Sequence, residues 1–152
     1  MKKIILLLSI AFSILIVIPA KSQVNITIGS NITSQPMWGP TGYDYVEYYY
    51  LPDIDAYYYV PKRQYIYQEH GNWIFRSSLP RRYNNFNIYN GYKVVINEPT
   101  PYRQAENYKL KYGGLKGRRD QEVIRNSADE RYFENKQHPE HKNWKKANKK
   151  RH

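Results

Sequence analysis

Apolar and polar positions fall into three patterns along this chain. The first is N-terminal: after Lys2 and Lys3, residues 4–18 carry no charge, and Pro19, Ala20, Lys21 and Ser22 follow. A positive start, an apolar centre and small residues at the cleavage position have the order of a secretory signal peptide. The uncharged run of 15 residues is shorter than the ~20 that a membrane span needs. The expectation is therefore a cleaved signal over 1–22, a mature start at Gln23, and no transmembrane span afterwards.

The second pattern is a loose repeat of aromatic runs. Tyr48-Tyr49-Tyr50-Leu51-Pro52 is echoed by Tyr57-Tyr58-Tyr59-Val60-Pro61, then by Tyr65-Ile66-Tyr67 and Trp73-Ile74-Phe75. Turn chemistry separates them at Pro52-Asp53-Ile54-Asp55, Pro61-Lys62-Arg63 and Glu69-His70-Gly71-Asn72. Short aromatic runs joined by tight turns predict an antiparallel β-meander with strands near 45–51, 56–60, 64–68 and 72–76. Residues 92–97 predict a fifth strand, placed centrally. Consecutive side chains of a strand point to opposite faces, so one face is expected to form a core and the other to display phenol rings. That exposed row makes Tyr48, Tyr50, Tyr57, Tyr59, Tyr65, Tyr67 and Trp73 the candidate binding surface, since Tyr combines an apolar ring with a polar tip.

The third pattern is helical. Thr100-Pro101 has the form of an N-cap followed by proline in the first turn. Tyr102, Ala105, Tyr108 and Tyr112 then recur at steps of three and four up to Gly113-Gly114, predicting an amphipathic helix over the sheet. The fold class expected is mainly β (α+β): a small meander with one covering helix over 41–114. Residues 23–40 read as a linker or edge strand, from the alternation of Val24, Ile26 and Ile28.

Charge divides the chain differently. Residues 23–100 hold six basic and six acidic side chains, whereas 101–152 hold fifteen basic and seven acidic. The same C-terminal stretch is poor in burial: from Gly113 onward only Leu115, Val123, Ile124 and Phe133 belong to the Leu, Ile, Val and Phe class. Ordering costs roughly 1–2 kcal/mol per residue for the backbone alone, so 115–152 is expected to be a mostly disordered basic tail, with one short turn capped by Ser127. Its last part clusters Lys142, Lys145, Lys146, Lys149, Lys150 and Arg151 around Trp144. Such a patch suits polyanions. For an exported protein these are anionic cell-envelope polymers or glycans rather than nucleic acid, and Trp144 among lysines suits a membrane interface.

Catalytic constellations are not visible. The chain has no cysteine, hence no thiol nucleophile, disulfide or lipidated N-terminal cysteine. His70 falls in a predicted turn, where a general base lacks both an orienting partner and a pocket. Ser77 and Ser78 read as loop, and Glu47 and Glu69 lack a cleft. Asp53 and Asp55 resemble a cation-binding pair but lack the further oxygen ligands and the glycine turn of a calcium loop; they read as turn residues. His138 and His141 have metal-ligand spacing, yet Pro139 lies between them and both read as solvated tail, as does His152. No cofactor is expected.

The stretch from Tyr43 to Tyr102, through residues 48–59, Gly71-Asn72-Trp73, Ser78-Leu79-Pro80 and Tyr92 to Pro101, resembles a group of small secreted Tyr-rich bacterial proteins. The resemblance implies an exported bacterial protein and supplies no activity or catalytic residue. Together these patterns predict a non-catalytic binding or envelope-associated protein of the periplasm or cell exterior. The alternative is a structural surface protein that self-associates by edge pairing at strands such as 57–60; a hydrolase or metal carrier ranks lower.

Overall fold

The computed structural model of the chain describes residues 29–149. The expected signal peptide over 1–22, the alternation of Val24, Ile26 and Ile28, and Lys150, Arg151 and His152 lie outside the described residues. Five strands form one antiparallel sheet: β1 (Tyr48–Leu51), β2 (Ala56–Tyr59), β3 (Gln64–Glu69), β4 (Asn72–Arg76) and β5 (Val94–Ile96). Their order is β4-β3-β2-β1-β5, so the meander predicted from the aromatic repeat is present. Tyrosines pair across it, Tyr48 with Tyr59, Tyr49 with Tyr58 and Tyr50 with Tyr57. The first pair stacks at 4.6 Å, the kind of cross-strand contact that holds sheets together. The β3–β4 turn has positive φ at both His70 and Gly71, the geometry of a two-residue hairpin turn whose twist matches the sheet.

Two expectations about the sheet are corrected. The fifth strand is not central: it lies at an edge, paired with β1. Tight hairpins had already joined β1 through β4 to one another, so only the outer sides of β1 and β4 remained for it. The strand at 57–60, expected to be an exposed edge, is β2, which lies inside the sheet between β1 and β3.

Both faces are covered. Tyr48, Tyr50, Tyr57, Ile66 and Ile96 pack beneath α1 (Ala105–Tyr112) through Tyr108 and Tyr112, with Tyr102 just ahead of the helix beside them. On the other face Tyr49, Leu51, Ala56, Tyr58 and Tyr67 meet Trp38 and Val46, with Leu79, Phe86, Ile88 and Tyr89 of the β4–β5 connection packed around them. The predicted helix thus occurs where it was placed, with two local differences. Thr100 adopts a left-handed conformation (φ 47°) and makes no side-chain cap; Pro101 opens a 3-10 turn, Pro101–Gln104, that runs into α1. Gly113 and Gly114 do not end the winding, which continues as a 3-10 turn to Leu115.

The largest correction concerns residues 115–149, which are ordered as a belt around the sheet. Gly117 N–H donates to Asp53 Oδ1 at 2.7 Å, and Gln121 hydrogen-bonds the backbone of Lys93 with both ends of its amide. Pro40 and Val123 form a β-bridge, with Ile124 N–H bonded to Gly39 O and Arg125 N–H to Met37 O. Ile124 and Tyr132 are then buried with Ile32 and Met37 in a separate small core. Asp129, rather than Ser127, caps the 3-10 turn Glu130–Glu134, and the belt ends in α2 (His141–Lys149). Few aliphatic residues suffice because the belt builds no core of its own. It docks on surfaces already made by the sheet and residues 30–44, and it satisfies its backbone there.

Candidate functional site

The seven aromatic residues expected to form one exposed row do not form one. Tyr48, Tyr50, Tyr57, Tyr59 and Trp73 lie on the α1 side, whereas Tyr65 and Tyr67 pack toward the opposite core. Tyr48, Tyr50, Tyr57 and Tyr67 are buried; Tyr59, Tyr65 and Trp73 are half-buried. Side chains do alternate between the two faces of the sheet, but both faces are covered. Burial pushes the phenols of Tyr48 and Tyr65 up to about 12. Burial also raises those of Tyr49, Tyr50, Tyr57 and Tyr108. Most buried hydroxyls have partners: Tyr50 donates to Asp55 Oδ1 at 2.9 Å and Tyr108 to Glu98 Oε2 at 2.6 Å. Tyr57 has none among the described residues.

What remains of an aromatic surface is a shelf beside α1. Tyr102 sits 5.5 Å from both Trp73 and Phe75. It separates a hollow of about 310 Å³ bordered by Gln68 and Arg103 from one of about 200 Å³ bordered by Tyr59 and Lys62. A larger cleft, about 590 Å³, is polar and lies between residues 33–36, Arg63 and residues 134–137. Its buried amides are engaged: Asn135 donates to Gln35 O, and Gln35 accepts from Tyr49 and donates to Asn31 and Tyr43 O.

The carboxylates of Asp53 and Asp55 face cations of the belt. Arg119 reaches Asp53 at 2.8 Å and Lys116 reaches Asp55 at 3.5 Å. The Arg119 contact is close but poorly aligned, since Asp53 Oδ2 completes no hydrogen bond; the attraction there is chiefly charge on charge. Lys93 is buried nearby, donates to Tyr89 O at 3.1 Å, and has its ammonium pushed down to about 8 by desolvation and by Arg119. This cluster clamps the belt to the β1–β2 turn. Sequence gave no sign of it, because the partners are more than sixty residues apart.

The histidines are also redistributed. His70 stands exposed in its turn. His138 is buried, not solvated: Nδ1 accepts from Glu140 N–H and Nε2 faces Ile124 O at 3.1 Å, which fixes the Nε2–H tautomer. His141 Nδ1 lies 2.7 Å from Phe133 O. No group of three or more His, Asp or Glu is placed to hold a metal ion among the described residues.

The lysine cluster keeps its place at the surface. At about 100° per residue, Lys142, Lys145, Lys146 and Lys149 of α2 occupy one arc of roughly 100°. All four are exposed, and no ion pair reaches them among the described residues. Trp144 falls about 150° from the centre of that arc. It lines a hollow with Phe133, Glu130 and Ala147, so it faces the body of the protein and not the lysine side. Trp144 therefore positions the helix and leaves the cationic face free. Lys150 and Arg151 lie outside the described residues. Four other belt cations are paired, Lys116 with Asp55, Arg118 with Asp120, Arg119 with Asp53, and Arg131 with Asp129 and Asp44; Arg125 lies over the Tyr89 ring, and Lys136 stands exposed away from α2.

Compared with protein-family models, curated proteins and solved structures, the chain matches none.

Proposed function

We propose that this is an exported, non-catalytic binding protein that attaches to anionic polymers of the cell envelope through the lysine face of α2. The observation that carries the reading is the unpaired arc of Lys142, Lys145, Lys146 and Lys149 on a helix whose other side is seated on the protein. Each lysine close to an anionic surface contributes about 1 kcal/mol, so four in one arc supply a few kcal/mol, and Lys150 and Arg151 follow them in sequence. Without an aromatic wedge on that face the attraction is electrostatic and is screened beyond a Debye length of about 8 Å at physiological salt. Export rests on the N-terminal pattern of Lys2 to Ser22, which has the order of a secretory signal peptide.

Truncation at Gly114 would be a poor test, since it removes Ile124 and Tyr132 from a core. Charge substitution is cleaner: Lys142, Lys145, Lys146 and Lys149 all changed to Gln, which keeps helix propensity, beside the corresponding Arg variant. Binding to purified lipopolysaccharide is measured at low and high salt, with phosphatidylcholine vesicles and a short duplex DNA as controls. The expectation is salt-sensitive binding to lipopolysaccharide, lost in the Gln variant and kept in the Arg variant. Equal binding by the Gln variant would remove the α2 reading, and a clear preference for DNA would move the ligand from envelope to nucleic acid.

A further inference from the structure

The two edges of the sheet are treated differently. β5 is only three residues long, and beside it the Gln121 amide satisfies both the N–H and the C=O of Lys93. β4 has no such cover among the described residues. In the β3–β4 hairpin Glu69 faces Asn72 across a two-residue turn, and Tyr67–Ile74 and Tyr65–Arg76 follow at alternate positions. In an antiparallel ladder these are the pairs that exchange hydrogen bonds, so the N–H and C=O groups of Trp73 and Phe75 point away from β3. The same alternation, carried across the sheet, turns the backbone of Lys93 outward on β5, where Gln121 meets it. On β4 the only contact to those four groups among the described residues is a long 3.5 Å approach of the Arg76 guanidinium to Phe75 O.

Soluble proteins blunt such edges with lysine, proline, bulges or very short strands. β4 reads Asn-Trp-Ile-Phe-Arg, with neither proline nor lysine, and Phe75 is 40% exposed. We infer that β4 is a self-pairing edge, joined antiparallel to β4 of a second copy about a two-fold axis through Ile74. The occupant is a second copy because the strand is complementary to itself. Centring the pairing on Ile74 joins each of the four free backbone groups to one on the partner strand. It sets Trp73 opposite the partner's Phe75, an aromatic cross-strand pair formed twice, and Arg76 opposite the partner's Asn72. No like charges face each other. The contact is isologous and closes at two copies, producing a ten-stranded sheet with an unbroken aromatic face. The edge open to pairing is thus β4 and not β2, which is internal, and it is separate from the lysine face of α2.

The test uses the chain from Gln23 to His152, which keeps every described residue. Sedimentation velocity from about 1 μM to about 500 μM, a span that covers weak interfaces, is expected to show monomer passing to dimer. The chain has no cysteine, so single substitutions report proximity cleanly. Ile74→Cys is expected to give a disulfide dimer on mild oxidation, because only residue 74 meets its own copy, whereas Asn72→Cys and Ser78→Cys are not. Phe75→Pro deletes an outward N–H without touching the β3 ladder. It is expected to weaken association about tenfold or more, two hydrogen bonds being lost per dimer. A monomer at every concentration overturns the inference, as does Ile74→Cys dimer no more abundant than Asn72→Cys dimer.

Discussion

Replacing Ile124 by alanine asks whether the basic C-terminal belt is part of the fold. Ile124 is completely buried, packed with Ile32, Met37 and Tyr132, and its backbone holds Gly39 O and accepts from the His138 ring. The surroundings have little freedom to close over a lost side chain. Tyr132 is pinned through its hydroxyl to Gly42 N–H at 2.7 Å, and Asn135 ties the neighbouring turn to Gln35 O at 2.8 Å. Truncating a buried isoleucine costs about 2–5 kcal/mol, with the larger values where the site cannot collapse. With a urea m-value of about 1–3 kcal/mol/M for a protein of this size, the midpoint should fall by on the order of 1–2 M. The assay is urea unfolding followed by tryptophan fluorescence, in parallel with Leu110→Ala, whose side chain is 83% exposed and whose midpoint should hardly move. If both variants unfold with the parent, residues 115–149 do not pack on the sheet, and the docking argument for the belt fails.

Other consequences are open to direct measurement. His138→Ala leaves Ile124 O and Glu140 N–H without their buried partner and should cost about 1–3 kcal/mol in the same assay; an unchanged midpoint would contradict the buried ring. Asp53→Asn strips a carboxylate, 11% exposed, from Arg119 and the buried Lys93. The loss expected is about 1–2 kcal/mol, discounted because Arg119 is half exposed. Glu69→Gln, which breaks an exposed pair with Arg82, should change stability by less than about 1 kcal/mol, and an order reversed between the two would refute the clamp. The phenols of Tyr48 and Tyr65 titrate near 12 in the folded chain against an ordinary 10. Their raised values mean that the unfolded chain releases protons first, so stability is intact below pH 10 and is lost as pH rises from there through 12. Urea midpoints between pH 8 and 11.5, with phenolate absorbance alongside, should show the decline starting near 10; a flat profile would contradict their burial.

What the sequence by itself determined is local. Aromatic runs bounded by Pro52, Pro61 and His70-Gly71 specified strands and turns, since strand propensity and turn geometry act over a few residues. The three- and four-residue spacing of Tyr102, Ala105, Tyr108 and Tyr112 specified α1 for the same reason, and the lysines of α2 were visible as a cluster. The tertiary structure decided which faces stayed open. A row of tyrosines reads the same whether one side or both are covered, and the second cover comes from Trp38, Val46, Phe86 and Ile88, scattered over fifty residues without a period of their own. Counting apolar residues underestimated the belt because ordering need not be offset within a segment. A segment can dock on a surface formed elsewhere, as Ile124 and Tyr132 do on residues 32–42, and can close its backbone hydrogen bonds there. Lys93, Asp53 and Arg119 were unreadable as a cluster for the same reason: their chemistry arises from long-range placement, which turns an ordinary lysine into a buried cation and a turn aspartate into a clamp.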